Sequence, residues 1–423
     1  MHVEPRPLSP RHAWALALVA TLTMSVSYVD RQTLAVLAPT VTQSLGISEP
    51  SYGLLVSAFS LAYLVGAPLA GRLIDHLGAR RGLLGAVLAW TVVAALHALA
   101  PGFVALFALR IALGLAESPS FPGAAQTVHR ALPPASRSRG FGVLFTGSSI
   151  GAMLAPPLAT AVDARYGYRV AFLVTAVAGL LWVPLWLAVA FTPEAKRVLD
   201  AAPHVALATP SAPRLSTLAL LRHPAVLRAV VAVLAVAPLI GLVLNWGAKL
   251  LVRTYGLAQA DVGRYLWLPP LFFDLGALLF GHLASRRAHD GTVSSGAADR
   301  PLFAAAAALG LAILFVPLAD GPLAAMLVAG VAMAGGGAVY ALVTADMLAR
   351  VPPGSVSAAG GMTAAAQSLA LIVANPLFGR AVERSGSYAG TVVAVGVWLV
   401  PGALAWLAWP PPPSFVSADE GPA

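Results

Sequence analysis

Cysteine is missing from all 423 residues of the chain. That excludes disulfides, iron–sulfur clusters and a thiol nucleophile, and it leaves the redox compartment unread. Charge is scarce as well: 10% of the residues are Asp, Glu, Lys or Arg, against roughly 25% in an average soluble domain. With 58% hydrophobic residues, most of the chain has no water to face. No G-x-x-x-x-G-K-[ST] loop is present, so the chain shows no nucleotide coupling of its own. Of the nine histidines, only His97 lies away from the N-tail, loops and ends of apolar runs on one side; His97 sits near the other surface. No histidine cluster forms that would suit a metal or a Ser–His pair. The reading is therefore no cofactor, no metal and no enzyme. A net charge of +9 would suit nucleic acid if it were concentrated in one patch. Here the basic residues punctuate apolar runs, which makes them topology signals instead and argues against a nucleic-acid partner.

What is present is a series of apolar runs, each near the roughly 20 residues that a helix needs to cross a bilayer. They lie near 13–38, 51–75, 82–100, 103–128, 140–162 and 169–191, then near 225–252, 263–285, 301–318, 322–349, 356–382 and 388–409. The first resembles a signal peptide in following Arg6 and Arg11. However, no small-residue cleavage site follows it, and it carries Tyr28, Asp30 and Arg31, so it reads as a retained first span. The stretch 192–224, with Pro193, Pro203, Pro210 and Pro213, is the longest polar break. The expected organisation is a six-helix bundle at 1–191, a cytoplasmic linker at 192–224, a second six-helix bundle at 225–411 and a cytoplasmic tail at 412–423.

The distribution of Lys and Arg orients the spans. Seventeen of the 26 fall in the N-tail and the loops on its side of the membrane, six in the opposite loops, and Arg31, Arg110 and Lys249 inside spans. The side with the excess is cytoplasmic, so both termini are expected there and the span count is even. Prolines inside spans (Pro68, Pro122, Pro156, Pro157, Pro238, Pro269, Pro270, Pro376) suit helices that kink, each freed carbonyl needing a partner from protein or cavity water.

Between spans 2 and 3 stands G-x-x-x-D-x-x-G-x-R-R, as Gly71, Asp75, Gly78, Arg80 and Arg81. The glycines permit a tight turn, and Asp75 can pair with Arg at neighbouring cytoplasmic helix ends. The motif resembles the signature loop of the major facilitator superfamily. After span 8, Gly281 to Arg287 forms a degraded copy with Ser285 in the place of the acid. Two six-helix halves with matching punctuation fit that superfamily's duplicated all-α fold.

Ionisable residues inside spans are costly and are functional candidates. Asp30 and Arg31 stand in span 1, Arg110 and Glu117 in span 4, Lys249 in span 7, Asp274 in span 8, and Asp346 near the cytoplasmic end of span 10. Arg110 and Glu117, seven residues and so about 10 Å apart along a helix, share nearly one face. Glu117 lies nearest mid-membrane; Arg110 and the Asp30–Arg31 pair lie in the outer half. Positive charges from different helices suit an anionic substrate, since the planar guanidinium matches a carboxylate. Buried acids that hold or release a proton suit coupling, and Glu117 is favoured for that role. The rival assignment is structural ion pairing, with Asp346 acting as a gate residue.

The run Tyr28-Val29-Asp30-Arg31-Gln32-Thr33-Leu34-Ala35-Val36-Leu37-Ala38-Pro39 is similar to the span 1 motif of the anion:cation symporter family, nearest its hexuronate transporter branch. The likeness continues through Phe59 to Tyr63, Arg110, Gly114, Glu117, Phe121-Pro122, Ala155-Pro156-Pro157, Asn245 to Lys249, Asp274 and Asp346. It implies proton-coupled symport of an organic carboxylate, a hexuronate or other sugar acid, into the cytoplasm by alternating access. It places Tyr28, Arg31, Tyr63, Arg110, Ser149, Trp246, Lys249 and Gln367 around the substrate, makes Asp30 and Glu117 the protonatable pair, and makes Gly71, Asp75, Gly78, Arg80, Arg81 and Asp346 a cytoplasmic gate. The chain departs from the branch at Ala67, Ser149, Gly247, Ala248 and Ala364 to Ala366, where longer or more polar side chains are common. These departures keep a less hydroxylated anion open, moved by symport, uniport or antiport, as well as a non-transporting sensor on the same fold. The implied partners are a small organic anion, protons and membrane lipid, with the protein a monomer in a bacterial inner membrane.

Overall fold

The structure is a computed structural model, and it describes residues 8–200, 215–290 and 299–412. Part of the expected linker (201–214) and nearly all of the expected tail (413–423) lie outside the described residues. Twelve helical segments are long and apolar enough to cross a membrane. They are α1 (Pro10–Val36), α2 (Glu49–Leu77), α3 (Ala79–Leu99), α4 (Phe103–Ala131), α5 (Arg139–Tyr166), α6 (Tyr168–Ala190), α7 (Pro224–Tyr255), α8 (Gln259–His289), α9 (Arg300–Leu318), α10 (Pro322–Leu348), α11 (Ala358–Ser385) and α12 (Ala389–Ala408). Most run a few residues past the apolar windows read from sequence, because helical hydrogen bonding continues into the polar interface where hydrophobicity has already ended. Short helices Pro193–Leu199 and Thr217–Leu221 occupy the described ends of the expected linker.

By contacts the chain divides into two compact units. One is Met1–His204 with Gly247–Val252 and Gly256–Trp267; the other is Val205–Trp246, Arg253–Tyr255 and Leu268–Ala423. Two short stretches of α7 and α8 group with the first unit, which a reading of the chain in order does not anticipate.

In the first unit α1 packs on α4, α5 and α6, and α2 packs on α4. The α2–α4 crossing is close because Gly114 has no side chain. A Cβ there would stand 2.6 Å from the Phe59 carbonyl oxygen and 2.9 Å from the Ala62 Cβ. Small residues let membrane helices approach in this way. Gly114→Ala is therefore expected to force α2 and α4 apart and to lower thermal stability by about 1–3 kcal/mol, the usual range for overpacking. An unchanged melting temperature in detergent would show that the crossing can relax without cost.

The junction of α2 and α3 needs glycine for another reason. Gly78 has φ +77° and its N–H donates to Ile74 O at 2.8 Å, a left-handed helix end that a side chain disfavours. In the second unit α8 meets α10 through bare backbone: a Cβ on Gly276 would stand 2.0 Å from Ala334 O, and one on Gly337 2.0 Å from Phe273 O.

Span α4 breaks next to its acid. Its first helix ends at Glu117 and the second starts at Ser120, with Ser118 and Pro119 between. Pro119 has no N–H for the carbonyl four residues back, and the freed Leu115 O is taken by Ser118 Oγ at 2.7 Å. The break sets Glu117 at a helix end, deep in the unit, with none of its surface exposed.

Candidate functional site

The first unit gathers two guanidinium groups and one buried carboxylate around aromatic rings. Arg31 on α1 lies over the rings of Tyr28 (4.5 Å), Phe59 (4.5 Å) and Tyr63 (5.0 Å). Its Nη2 donates to Glu117 Oε2 at 3.1 Å. The same oxygen accepts from Ser27 Oγ at 2.8 Å, while Oε1 is buried without a hydrogen-bond partner. Ser27 and Arg31, four apart, rise on one face of α1, which is how both reach α4. Arg31 keeps 19% of its side chain accessible against 0% for Glu117, so the arginine is the member that a solute can reach.

Arg110 joins the cluster through Phe59, its guanidinium 4.8 Å from that ring. It is 3% exposed, and its Nε and Nη1 have no hydrogen-bond partner. Phe59 thus carries two cations. Cation–π contacts are individually small, roughly 0.5–2 kcal/mol, but they hold a guanidinium in place without consuming its N–H donors. Those donors remain for an acceptor.

Asp30 does not join this cluster. It is 4% exposed and faces α3 and α6, near Trp90, Thr91 and Gly179. Successive helix positions point about 100° apart, so with Arg31 turned to the rings its neighbour turns elsewhere.

Lys249 belongs to the stretch of α7 that groups with the first unit. Its ammonium lies 3.2 Å from Glu49 Oε2, donates to Thr42 Oγ1 at 2.8 Å, and stands 5.3 Å from the centre of the Tyr52 ring. Ser149 is half-buried on α5. In the second unit Trp246 is fully buried and donates to Asn375 Oδ1 at 2.9 Å, and Gln367 accepts from Tyr340 O–H at 2.8 Å. The sequence-derived substrate set is thus brought together for Tyr28, Arg31, Tyr63 and Arg110. Lys249, Trp246 and Gln367 are engaged with protein partners of their own.

The signature loop is wired differently from the pairing expected for it. Asp75 is exposed and accepts from Gln126 Nε2 at 3.0 Å, and Gln126 Oε1 accepts from the Ala79 N–H at 3.0 Å. Arg80 is buried, lies 4.5 Å from the centre of the Phe191 ring, and is bound to Asp200, with Nε 3.1 Å from both carboxylate oxygens. Arg81 is exposed, and a Cβ on Gly71 would meet nothing within 4 Å. In the second unit Asp346 accepts from Arg350 (2.8 and 3.0 Å) and from the wholly buried Arg228, whose guanidinium stacks 3.6 Å from the centre of the Trp406 ring.

Several of these partners escaped the sequence reading. Ser27 was findable from its i,i+4 spacing to Arg31. Glu49 and Asp200 carried no local signal, since each looks like a solvated charge at a span edge and each meets a cation more than a hundred residues away. Among the described residues, no group of three or more His, Cys, Asp or Glu stands where it could hold a metal ion.

Residues 20–370 match the Major Facilitator Superfamily. The chain belongs to that superfamily, and with its twelve apolar spans it is a multi-pass inner-membrane protein. Its curated relatives are transporters rather than enzymes. It is 28% identical to the hexuronate transporter of Escherichia coli (strain K12) over 278 residues, which covers 64% of this chain and 64% of that relative's length. It is 27% identical over 380 residues to the hexuronate transporter of Bacillus subtilis (strain 168), covering 88% of each. By fold it is similar to the crystal structure of a bacterial homolog of the human lysosomal transporter Spinster in an inward-facing and occupied conformation. That likeness has TM-score 0.76 and 18% identity, and covers 98% of this chain and all of the other.

Proposed function

We propose that the chain is a secondary transporter that carries an organic carboxylate into the cytoplasm together with protons, by alternating access of two six-helix halves with both termini cytoplasmic. The observation that carries this reading is the Arg31–Glu117 pair. A partly accessible guanidinium is held by a fully buried carboxylate, and a second guanidinium, Arg110, stands on the other side of a shared contact with Phe59. A substrate carboxylate and Glu117 compete for the same donors. When Glu117 takes up a proton its charge and its claim on Arg31 are lost, and Arg31 is released to the incoming anion. When the anion leaves, Glu117 gives up its proton and reclaims Arg31. Binding of anion and of proton then favour one another, which is the requirement of symport. Tyr28 and Tyr63 supply hydroxyl groups and flat ring faces beside the anion.

A hexuronate or related sugar acid is the substrate class favoured by the names of the relatives. A second reading, a less hydroxylated anion, is favoured by one observation. The polar side chains that would read sugar hydroxyls in the second unit, Trp246 and Gln367, are occupied by Asn375 and Tyr340, and Ala364 to Ala366 leave the adjacent stretch of α11 apolar.

Reconstituted into proteoliposomes, the protein is expected to accumulate labelled glucuronate above the external concentration only with an inward proton gradient. Equal uptake with and without the gradient would overturn the symport reading. A thermal-shift screen of hexuronates, aldonates and simple carboxylates separates the two substrate classes, because a ligand stabilises in proportion to the logarithm of its concentration over Kd.

A further inference from the structure

Spans α5 and α8 touch at Gly263. A Cβ there would stand 2.7 Å from the Pro156 carbonyl oxygen and would also strike Thr160 Oγ1. Bare backbone allows this approach, as small residues do between membrane helices. Both sides of the contact belong to the first unit. Beside it the two helices leave an open groove of about 540 Å³. Its α8 wall is Ala260, Gly263, Arg264 and Trp267, at i, i+3, i+4 and i+7, which is one helix face. Its α5 wall includes Leu154, Pro157 and Ala161, at i, i+3 and i+7, again one face. Pro157, Ala161 and Ala260 are short and exposed, so they form a trough. Leu154 and Trp267, 54% and 37% exposed, are the large apolar side chains along it.

The groove separates apolar from charged chemistry by depth. Thr160 Oγ1 donates to Pro156 O at 2.8 Å, and Trp267 Nε1 donates to Arg264 O at 3.0 Å. Of the polar side chains along the groove, these two are spent on backbone and only the Arg264 guanidinium points to other use. An ordered water needs several polar partners, whereas an alkyl chain needs none. Arg264 keeps 75% of its side chain accessible. Span α8 begins at Gln259, so Arg264 lies about 8 Å along the helix axis from that end. Each headgroup layer is roughly 5–8 Å deep, which sets the guanidinium at the boundary of headgroups and hydrocarbon. Trp267, nearly one turn deeper, takes the interfacial place that aromatic residues favour. From Ala161 to Leu154 the α5 wall continues inward for about 10 Å, most of the roughly 15 Å of hydrocarbon in one leaflet. Arg264 Nη1 meets Asp261 Oδ1 at 3.1 Å on its own helix. Exposed pairs of this kind are weak, and a guanidinium carries five N–H donors, so the pair leaves capacity for a phosphate.

We propose that this groove binds an anionic phospholipid, with one acyl chain lying between α5 and α8 and its phosphate on Arg264. The site is on the side of the membrane where α5 ends and α8 begins, opposite the signature loop, and it shares no residue with the Arg31–Glu117 cluster. A charge one headgroup deep joined to a long apolar trough fits a lipid, whereas a sugar acid has no chain to fill it. Native mass spectrometry of the purified full-length protein in mild detergent tests this. The competing probes are phosphatidylglycerol and phosphatidylcholine with the same acyl chains, with glycerol phosphate as the probe lacking chains. The parent should retain phosphatidylglycerol over phosphatidylcholine by about fivefold, the preference that one arginine near an anionic surface supplies. Arg264→Gln should bring the two lipids to equal retention, and Arg264→Glu, at the same exposed position, should reverse the preference. Ala161→Trp fills the trough from an exposed position and should lower retention of both lipids, which reads the chain separately from the headgroup. Equal retention of the two lipids by the parent, a preference unchanged in both Arg264 variants, or retention unaffected by Ala161→Trp overturns the proposal. Glycerol phosphate binding as tightly as phosphatidylglycerol also overturns it, since the site would then recognise an anion without a chain.

Discussion

Arg110→Ala is expected to abolish substrate binding, with Kd for glucuronate raised at least about a hundredfold. Arg110 is almost wholly buried, yet two of its nitrogens have no hydrogen-bond partner, and its guanidinium lies against the Phe59 ring. A buried guanidinium that spends none of these donors on protein keeps them for an anion. Losing one side of a desolvated, hydrogen-bonded charge pair typically costs about 2–5 kcal/mol, and 1.4 kcal/mol is a factor of ten. Arg110→Lys retains the charge but not the planar fork, so it should recover only part of the affinity. The measurement is thermal-shift or calorimetric titration of the purified protein. Retained affinity in Arg110→Ala would make Arg110 a structural charge and remove it from the site.

Glu117→Gln is expected to separate exchange from accumulation. The amide is close in size and still accepts from Ser27 and Arg31, so the fold and the ring cage around Arg31 should survive. It cannot take or release a proton, and it does not neutralise Arg31. Arg31 then remains available to the anion throughout the cycle. Counterflow exchange of labelled for unlabelled glucuronate should persist, while accumulation driven by an inward proton gradient should fall to the level seen without one. Loss of both would place Glu117 in the binding of the anion itself. Glu117→Ala is a poorer test, because removing one partner of a buried pair leaves the other charge uncompensated, at a cost of about 3–5 kcal/mol.

The difference between these two arginines follows from packing that no spacing rule contains. Arg31 and Arg110 look equivalent in sequence, each a lone cation inside an apolar span. In the fold Arg31 has a carboxylate and three rings, while Arg110 has Phe59. The glycine at 114 contributes on one side, since the approach of α4 to the Phe59 carbonyl lets Arg110 reach the ring that Arg31 meets from α1.

The residues of the signature loop show the opposite outcome. The turn at Gly78 was readable, because a left-handed position demands glycine whatever surrounds it. The partner of Arg80 was not. Asp200 is 120 residues away and belongs to a polar stretch with no periodicity. Asp75, the acid of the motif, spends its exposed carboxylate on a glutamine amide.

The sequence by itself determined the class of this protein. Twelve apolar runs, their punctuation by arginine and the few charges left inside them are consequences of the bilayer as solvent, which acts on each segment separately and so leaves its mark residue by residue. Only the tertiary structure decided which charges meet. It set Glu117 on Arg31 with Ser27, turned Asp30 away toward Trp90 and Thr91, and tied Lys249 to Glu49. Those pairings depend on helix rotation and on close approach at glycines, and both are set by contacts between segments far apart in the chain.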